Sequence, residues 1–341
     1  MMFFFVRYKI LSFRHALHTL IPIAVHCARE ISRDNQLRSI FVQIRHKMSH
    51  RITTLSLFLV LLAGASSLTA QDLAFGFKAG LNFSSFSGPL QEDPTGTVIE
   101  DFQVNNGFHL GIGATFMATD LFGVRTELIY SQRGGRIEYD GPSYYVVTAQ
   151  SGNRIPIFGN RRQFLDITNS CIDLPIMAVA RFGRFELTGG LNAGVLLASS
   201  GAGEIDFRNG TVNGDGNINF LITLDYDFFG DAGNQGNANN PYQFSANGEE
   251  FEIPRTVGAY YEFEENEERL YTTFDLAAVA GLSFYFNEAL YVGGRLNYGL
   301  VDVTRTDLDR SAIELDVDGE PARRDDFDRN IWVQASIGFN F

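Results

Sequence analysis

The sequence predicts an all-β protein, an eight-stranded antiparallel up-and-down transmembrane β-barrel with long extracellular loops. Three observations predict this fold: eight segments alternate apolar and polar residues, the connections between them are alternately short and long, and a secretory signal precedes the first segment. A composition of 34 Gly and 31 Phe in 341 residues also favours one large β-rich domain over a helical protein.

The alternation is clearest in residues 273–301, where two alternating runs are joined by residues 287–289. This pattern predicts a β-hairpin. Side chains of a strand point alternately to opposite faces, so one face is apolar from Phe274 to Leu300 and the other is small, polar or charged. A soluble barrel points its apolar face inward, whereas a membrane barrel points that face at lipid and fills its lumen with small and polar groups.

Six further segments alternate in the same way and complete the eight strands: 75–86, 108–118, 123–132, 171–182, 185–198 and 331–341. Residues 217–228 also alternate, which leaves a ten-stranded barrel open as an alternative. The return strand that ten strands would need, 251–261, contains Pro254 and adjacent charges, and proline fits a central strand poorly.

The connections between these strands decide how the barrel is oriented. Residues 119–122, 183–184 and 287–289 are tight, whereas residues 87–107, 133–170, 199–272 and 302–330 are long. Membrane barrels have short periplasmic turns and long outer loops. We therefore expect the cell outer membrane as location, with both termini periplasmic and the long loops extracellular. A lipocalin-like soluble barrel is the alternative.

The chain before the first strand has the features of a signal peptide. Residues 48–70 combine a basic start, an apolar stretch from Leu55 to Leu62 and a small-residue end, with cleavage expected after Ala70. Because such a signal belongs at an N-terminus, residues 1–47 are interpreted as a translated upstream extension and Met48 as the start. An unusually long signal is the alternative. The outer-membrane β-barrel domain is predicted to cover residues 71–341.

Charge and cysteine content limit the partners of that domain. The net charge of the chain is −13, and Lys78 is the only lysine after residue 70, which argues against nucleic acid as a partner. Cys171 is the only cysteine after residue 70, so the domain has no intrachain disulfide and no cysteine-rich metal site. The predicted surroundings are outer-membrane lipid and lipopolysaccharide.

Eight charged residues fall on the face predicted to line the lumen: Lys78, Arg125, Glu127, Asp173, Arg181, Glu186, Asp275 and Arg295. Four are cations and four are carboxylates. One interpretation is a charged lumen that guides a solute. The interpretation we favour is a network of ion pairs that fills a barrel wide enough only for side chains.

Catalysis and metal binding have little support in the sequence. A Ser-His-Asp arrangement would require His109, for which a structural hydrogen bond is the expected role. Residues 215–219 have a calcium-like D-x-N-x-N spacing, but Phe220 occupies the position that needs glycine and no closing glutamate follows. We therefore predict no enzyme activity, no metal and no cofactor.

The third long connection, residues 199–272, is strongly acidic and rich in aromatic residues. Acidic exposed segments with aromatic residues can form a surface that binds a partner protein. The alternative is that strands continue above the membrane, pack on one another and are solvated by their charges. The sequence leaves both interpretations open.

Four short motifs resemble a known family: GFKAGLNFSSFSG at 76–88, ELIYSQRGG at 127–135, IDLPIM at 172–177 and FDLAAVAGLSFYF at 274–286. They are similar to the PorT-like outer-membrane β-barrel proteins of Bacteroidetes-type bacteria. The resemblance implies an eight-stranded barrel in a Gram-negative outer membrane, and in some relatives an association with protein secretion. The connection at 199–272 is longer than is usual in that family, so the resemblance does not extend to a role for that region.

The last strand ends in an aromatic row that includes Phe339 and Phe341. Such a terminus resembles the signal that barrel-assembly machinery reads in other outer-membrane barrels. The predicted function is a PorT-like structural, surface-interaction or secretion-accessory role, with a surface or secretion-system protein as the expected partner. A narrow channel for small solutes is the second interpretation and an outer-membrane enzyme the third.

Overall fold

The computed structural model describes residues 73–149, 151–233, 236, 240–246, 248–261, 263, 269–317 and 319–341. The predicted upstream extension and signal peptide lie outside these residues. The described residues belong to a compact unit, Asp72–Phe341. Within them, no helix has the length and apolarity needed to cross a membrane.

The described residues form fifteen strands, which confirms the predicted all-β class. They are β1 Leu73–Ser87, β2 Glu100–Gln103, β3 Asn105–Met117, β4 Phe122–Thr148, β5 Arg154–Phe182, β6 Phe185–Val212, β7 Asp215–Asp227, β8 Tyr242–Ala246, β9 Glu249–Ile253, β10 Thr256–Val257, β11 Phe274–Tyr285, β12 Leu290–Gly299, β13 Arg310–Leu315, β14 Pro321–Arg323 and β15 Arg329–Asn340.

Eight of these strands pair in a closed antiparallel ring, in the order β1, β3, β4, β5, β6, β11, β12 and β15. The ring closes where β15 pairs with β1, in a register that runs from Gly76 opposite Asn340 to Ser87 opposite Arg329. Each of the eight segments that alternate in the sequence supplies one strand of this ring.

The ring has its apolar face outside. On β1, Phe77 is 52% exposed while the neighbouring Lys78 is 3% exposed. The same outward direction is shared by large apolar side chains all around the ring: Leu81, Leu110, Ile112, Leu128, Ile176, Leu187, Leu191, Leu282, Leu296 and Ile337. From Phe75 to Phe83 the apolar face of β1 is about 26 Å long at ~3.3 Å per residue, close to the height of a lipid-facing band.

The prediction that residues 133–170 and 199–272 are loops is wrong, because much of each segment forms β-strand. β4 and β5 continue through residues 133–170 as one long hairpin, and β6 continues past residue 198 to pair with β7. The pair Gly134 and Gly135 resembles a turn signal but lies within β4, where a side chain on Gly135 would meet the Phe86 ring at 2.8 Å. We call residues 133–170 and 199–227 the sheet extension.

The sheet extension has an apolar core of its own, in contrast to the polar interior of the ring. The Phe207 and Phe220 rings stack with centroids 4.9 Å apart, and the β8–β9 hairpin contributes Phe251 and Ile253 to the same cluster. Most of the aromatic residues in the acidic third connection are therefore inside this core or packed against it. This arrangement corresponds to the interpretation in which strands continue and pack on one another.

We expect Phe207→Ala to unfold the sheet extension while the ring stays folded. Phe207 is fully buried, and removing a buried aromatic ring of this kind costs about 3–5 kcal/mol. Hydrogen exchange of the amides in residues 199–227 should accelerate, while the amides of residues 185–195 and of the other ring segments stay unchanged. Phe158→Ala is the matched control, because Phe158 is 51% exposed on the outer face of β5. Equal exchange in the two variants would contradict this account of the core.

Candidate functional site

Near the tight turns of the ring, two arginines share one carboxylate. Arg125 holds Glu186 through two contacts, Nη1 to Oε1 at 2.6 Å and Nη2 to Oε2 at 3.0 Å. Arg181 Nη2 donates to Glu186 Oε2 at 2.8 Å, and the Tyr285 hydroxyl lies 3.2 Å from the same oxygen. Glu186 is fully buried, so its charge is neutralised by these two cations rather than by water.

A second group forms around Glu127 of β4. Arg295 from β12 donates two hydrogen bonds to this carboxylate, from Nη1 to Oε2 at 2.5 Å and from Nη2 to Oε1 at 2.6 Å. Lys78 Nζ from β1 lies 2.9 Å from Oε2. These strands are separated along the chain and meet only because the ring closes. Such bidentate guanidinium–carboxylate pairs are among the stronger and more directional polar contacts in proteins.

The third group contains a cation that the sequence analysis missed. Arg133 donates from Nη1 to Asp173 Oδ1 at 3.0 Å and from Nη2 to Asp275 Oδ2 at 2.7 Å, and its guanidinium lies 4.3 Å from the Trp332 ring centre. The predicted strand ended at residue 132. Arg133 nevertheless has the inward parity of Arg125 and Glu127, which was a signal available in the sequence.

All eight predicted lumen residues thus lie on the inner face and take part in ion pairs. Seven are buried, and Arg181 is partly exposed at the end of the ring that carries the tight turns. With Arg133 included, five cations meet four carboxylates in the described lumen. An eight-stranded ring has room for these side chains and for little else.

His109 has two hydrogen-bond partners in the lumen. Its Nδ1 lies 2.8 Å from Asn82 Oδ1, and its Nε2 lies 2.8 Å from Ser336 Oγ. The order serine, histidine, amide superficially resembles a nucleophilic arrangement. His109, Asn82 and Ser336 are 1%, 0% and 9% exposed, however, so a substrate has no access to them. The geometry corresponds to the structural hydrogen bonds expected for His109.

Side chains of the calcium-like segment 215–219 form hydrogen bonds with other protein groups. Asn219 Oδ1 accepts a hydrogen bond from the Asn209 backbone at 2.9 Å, and Asn219 Nδ2 donates to Asn217 Oδ1 at 3.0 Å. A different acidic group, Asp309, Asp326 and Asp328, has carboxylate oxygens within 4.8 Å of one another. Sequence reasoning did not find this group, because its members follow no ligand spacing.

The acidic group changes the protonation of its members. Burial, together with the neighbouring Asp326, raises the pKa of Asp309 to about 8, and burial and Asp326 also raise the pKa of Asp328 to about 6. Arg324 opposes the shift at Asp309 but is itself shared with Glu100 and Asp326, at 3.1 and 2.7 Å. The raised pKa favours the protonated form of Asp309 in the folded protein.

We expect the segment around β13 and β14 to lose protection as pH rises. A carboxyl group whose pKa is higher in the folded state than in the unfolded chain stabilises the fold below its ordinary pKa, and this contribution is lost as pH rises through the folded pKa. For Asp309 the window runs from its usual value near 3.8 to about 8. Protection factors in residues 305–328, measured between pH 5 and pH 8.5, should fall.

Asp309→Asn should flatten this pH dependence, and the exposed Asp325→Asn should leave it unchanged. An equally steep loss of protection in wild type and in Asp309→Asn would show that other groups are responsible.

The carboxy-terminus lies at the seam of the ring. Phe341 exchanges two backbone hydrogen bonds with Phe75, at 2.7 and 3.2 Å, and the rings of Phe339 and Phe77 stack with centroids 6.0 Å apart. Phe341 itself is 74% exposed on the outside. The two residues predicted as an assembly signal are thus also part of the contact that closes the ring.

A closed ring with a charged interior and an apolar exterior matches a known class of protein. A family model described as outer membrane protein beta-barrel domain matches residues 69–305. The chain belongs to this family. The outer-membrane location and the general family that the sequence predicted are therefore confirmed. The PorT-like assignment is narrower than this match and stays a prediction.

Solved outer-membrane barrels show similarity at low sequence identity. Ail of Yersinia pestis is 11% identical, with 80% of this chain and 100% of that chain covered and a TM-score of 0.31. OprG of Pseudomonas aeruginosa is 12% identical, with 79% and 95% covered and a TM-score of 0.31. The protease OmpT of Escherichia coli is 9% identical, with 80% and 98% covered and a TM-score of 0.22. A search of curated proteins gives no match.

Proposed function

We propose that this outer-membrane barrel protein is a non-enzymatic membrane anchor, with a lumen closed by ion pairs, that presents a folded extracellular domain to a protein partner. The role is of the PorT-like structural, surface-interaction or secretion-accessory type. The observation that carries the proposal is the apolar core of the sheet extension, because a folded domain beyond the lipid band offers a rigid surface. The ion-paired lumen supports an anchor rather than a pore.

Eight strands, rather than ten, cross the membrane in this proposal. Residues 185–195 of β6 pair with β11, whereas residues 200–212 of the same strand pair with β7. β7 therefore adds to the sheet extension and the ring closes without it. Its other described partner is the two-residue β10.

The two ends of the ring support one orientation in the membrane. The tight turns, Leu73 and Phe341 lie at one end, and the sheet extension lies at the other. Outer-membrane barrels place short turns in the periplasm and longer segments outside the cell. We infer periplasmic termini and an extracellular sheet extension, with lipid and lipopolysaccharide around the apolar band.

A narrow channel is the second candidate, because some polar atoms in the lumen are not paired with protein groups. Arg133 Nε, Asn192 Oδ1 and Asn330 Oδ1 are buried without a hydrogen-bond partner. Buried polar atoms of this kind are usually satisfied by water. Conductance of the purified chain in a planar bilayer distinguishes the candidates: the anchor gives no current steps, and the channel gives steps that change when Arg295 is replaced by Met.

The role in secretion is tested in the host by deleting the gene and comparing the set of proteins outside the cell. We expect the deletion to alter this set, and expression of the wild-type chain or of Phe158→Ala to restore it. Phe207→Ala should reach the outer membrane yet fail to restore secretion, because its sheet extension is unfolded. An unchanged set of secreted proteins in the deletion strain would contradict the secretion-accessory role.

A further inference from the structure

The sheet extension and the segments that cover it line a partly open cavity of about 230 Å³. Its walls include aromatic side chains from four parts of the chain, among them Tyr139, Tyr145, Tyr261 and Phe263. The acidic residues Glu100, Asp309 and Asp328 also line it. A cavity of ~150 Å³ lined by apolar side chains is large enough to bind benzene. This one therefore has room for a single aromatic ring that carries a small substituent.

Arg161, on the inner face of β5, brings an uncompensated charge to the wall of this cavity. The side chain is 7% exposed, Nη2 donates to the Tyr144 backbone oxygen at 2.7 Å, and Nε has no hydrogen-bond partner. No carboxylate among the described residues forms an ion pair with it. A buried guanidinium without a carboxylate is costly unless an anion completes it.

Arg310, at the start of β13, is a second cation that lines the cavity, and its side chain is half-buried. Its guanidinium lies 5.3 Å from the Phe263 ring centre, and Nη1 is buried without a hydrogen-bond partner. Burial and the neighbouring Arg323 lower the pKa of Arg310, and the charges of Asp309 and Asp307 oppose this shift. Arg324 also lines the cavity but differs, because Glu100 and Asp326 neutralise it at 3.1 and 2.7 Å.

We propose that this cavity binds a small organic anion with a flat aromatic body, and that Arg161 and Arg310 hold its acidic group. The aromatic walls receive the ring, and the two guanidinium groups supply directional donors that suit a carboxylate or a similar planar or tetrahedral anion. The site is separate from the lumen and does not depend on whether the protein acts in secretion. It gives the extracellular domain a ligand of defined chemistry.

The test uses the full chain, folded in detergent, and three probes of nearly equal shape: benzoate, benzamide and benzylammonium. Dissociation constants are measured by ligand-observed NMR. We expect saturable binding of benzoate, with benzamide and benzylammonium each weaker by about tenfold or more, since a hydrogen bond to a charged group is worth about 1.5–3 kcal/mol. Equal affinity for benzoate and benzamide, or the absence of saturable benzoate binding, would overturn the proposal.

Substitutions of the two arginines test whether benzoate binds in this cavity. Arg161→Gln and Arg310→Gln should each weaken benzoate binding by about tenfold. Arg162→Gln is the matched control, because Arg162 is the next residue of β5, points outward and pairs with Asp140 at 3.0 Å; it should leave the affinity unchanged. Unaltered benzoate binding in Arg161→Gln would place the probe elsewhere. If Arg161→Gln fails to fold, Arg310→Gln and the wild-type probe series still decide the question.

Discussion

Arg133→Met should lower the free energy of unfolding by about 3–5 kcal/mol, which is the usual effect of removing one partner from a buried ion pair. Arg133 is the cation for both Asp173 and Asp275, and its side chain is almost fully buried. Its removal leaves two carboxylates in the lumen without a cation. Methionine keeps much of the apolar stem, so the change reports mainly on charge.

The matched comparison is a series of three arginines. Arg295→Met should have a smaller effect than Arg133→Met, because Lys78 still neutralises Glu127 at 2.9 Å. Arg162→Met should change stability by only about 0–1 kcal/mol, since the Arg162–Asp140 pair is exposed. The folded fraction at each urea concentration is measured from the difference in gel mobility between unheated and boiled protein. The urea midpoints of the three variants then rank their stabilities. Equal midpoints for Arg133→Met and Arg162→Met would remove the ion-paired lumen as a source of stability.

Deletion of Asn340 and Phe341 should sharply reduce the amount of folded protein in the outer membrane. The deletion removes both backbone hydrogen bonds between Phe341 and Phe75, and also the one from the Asn340 backbone to the Ala289 oxygen at 2.9 Å. Backbone groups left unpaired in hydrocarbon cost several kcal/mol each. The deletion also removes one of the two aromatic residues predicted to be read during assembly.

The control is a deletion of the same size within residues 233–240, where glycine, asparagine and glutamine in the sequence suggest tolerance of change. Heat-modifiable protein in the outer-membrane fraction is measured for both. Similar yields would contradict the closure argument. A loss of yield with normal refolding of the purified chain in detergent would assign the effect to recognition by the assembly machinery rather than to closure.

The strands of the ring could be predicted because lipid imposes a simple rule on them. Every second residue faces hydrocarbon, so the apolar positions alternate without a break, as from Leu187 to Val195 in β6. The predicted tight turns also occur where expected, since residues 183–184 and 287–289 connect paired strands. The face that points inward follows from this parity, and it placed the eight charged residues in the lumen.

The sheet extension could not be predicted in the same way, because the relation between polarity and direction reverses above the lipid band. In β6 a bulge at Leu197 shifts the register, so that Leu187 points outward while Ile205 and Phe207, of the same parity, point inward. On β4 and β5 the inner face changes instead from charged to apolar, near Arg133 and Cys171. A sequence pattern that requires the same alternate positions to stay apolar along the whole strand therefore predicts that the strands end at these positions.

The cavity could not be predicted from the sequence either. Arg161 lies within a predicted connection and Arg310 within another, and neither belongs to a motif. Long-range packing brings that end of the chain to the sheet extension, for example where β13 packs against β4 and the Tyr144 hydroxyl donates to the Ser311 backbone oxygen at 2.5 Å. Residues that meet through long-range packing leave no local signal in a single sequence.

The unbroken course of β4, β5 and β6 has a consequence for how the protein reaches its final position. An eight-stranded ring has no room for a folded sheet, so in the proposed orientation the distal halves of these strands could not pass through the ring once they have folded. The core around Phe207 and Phe220 then forms only on the far side. Sliding back would return those rings to water, at about 1.5–3 kcal/mol for each buried side chain. Folding of this core at the cell surface thus opposes the return of the segment across the membrane.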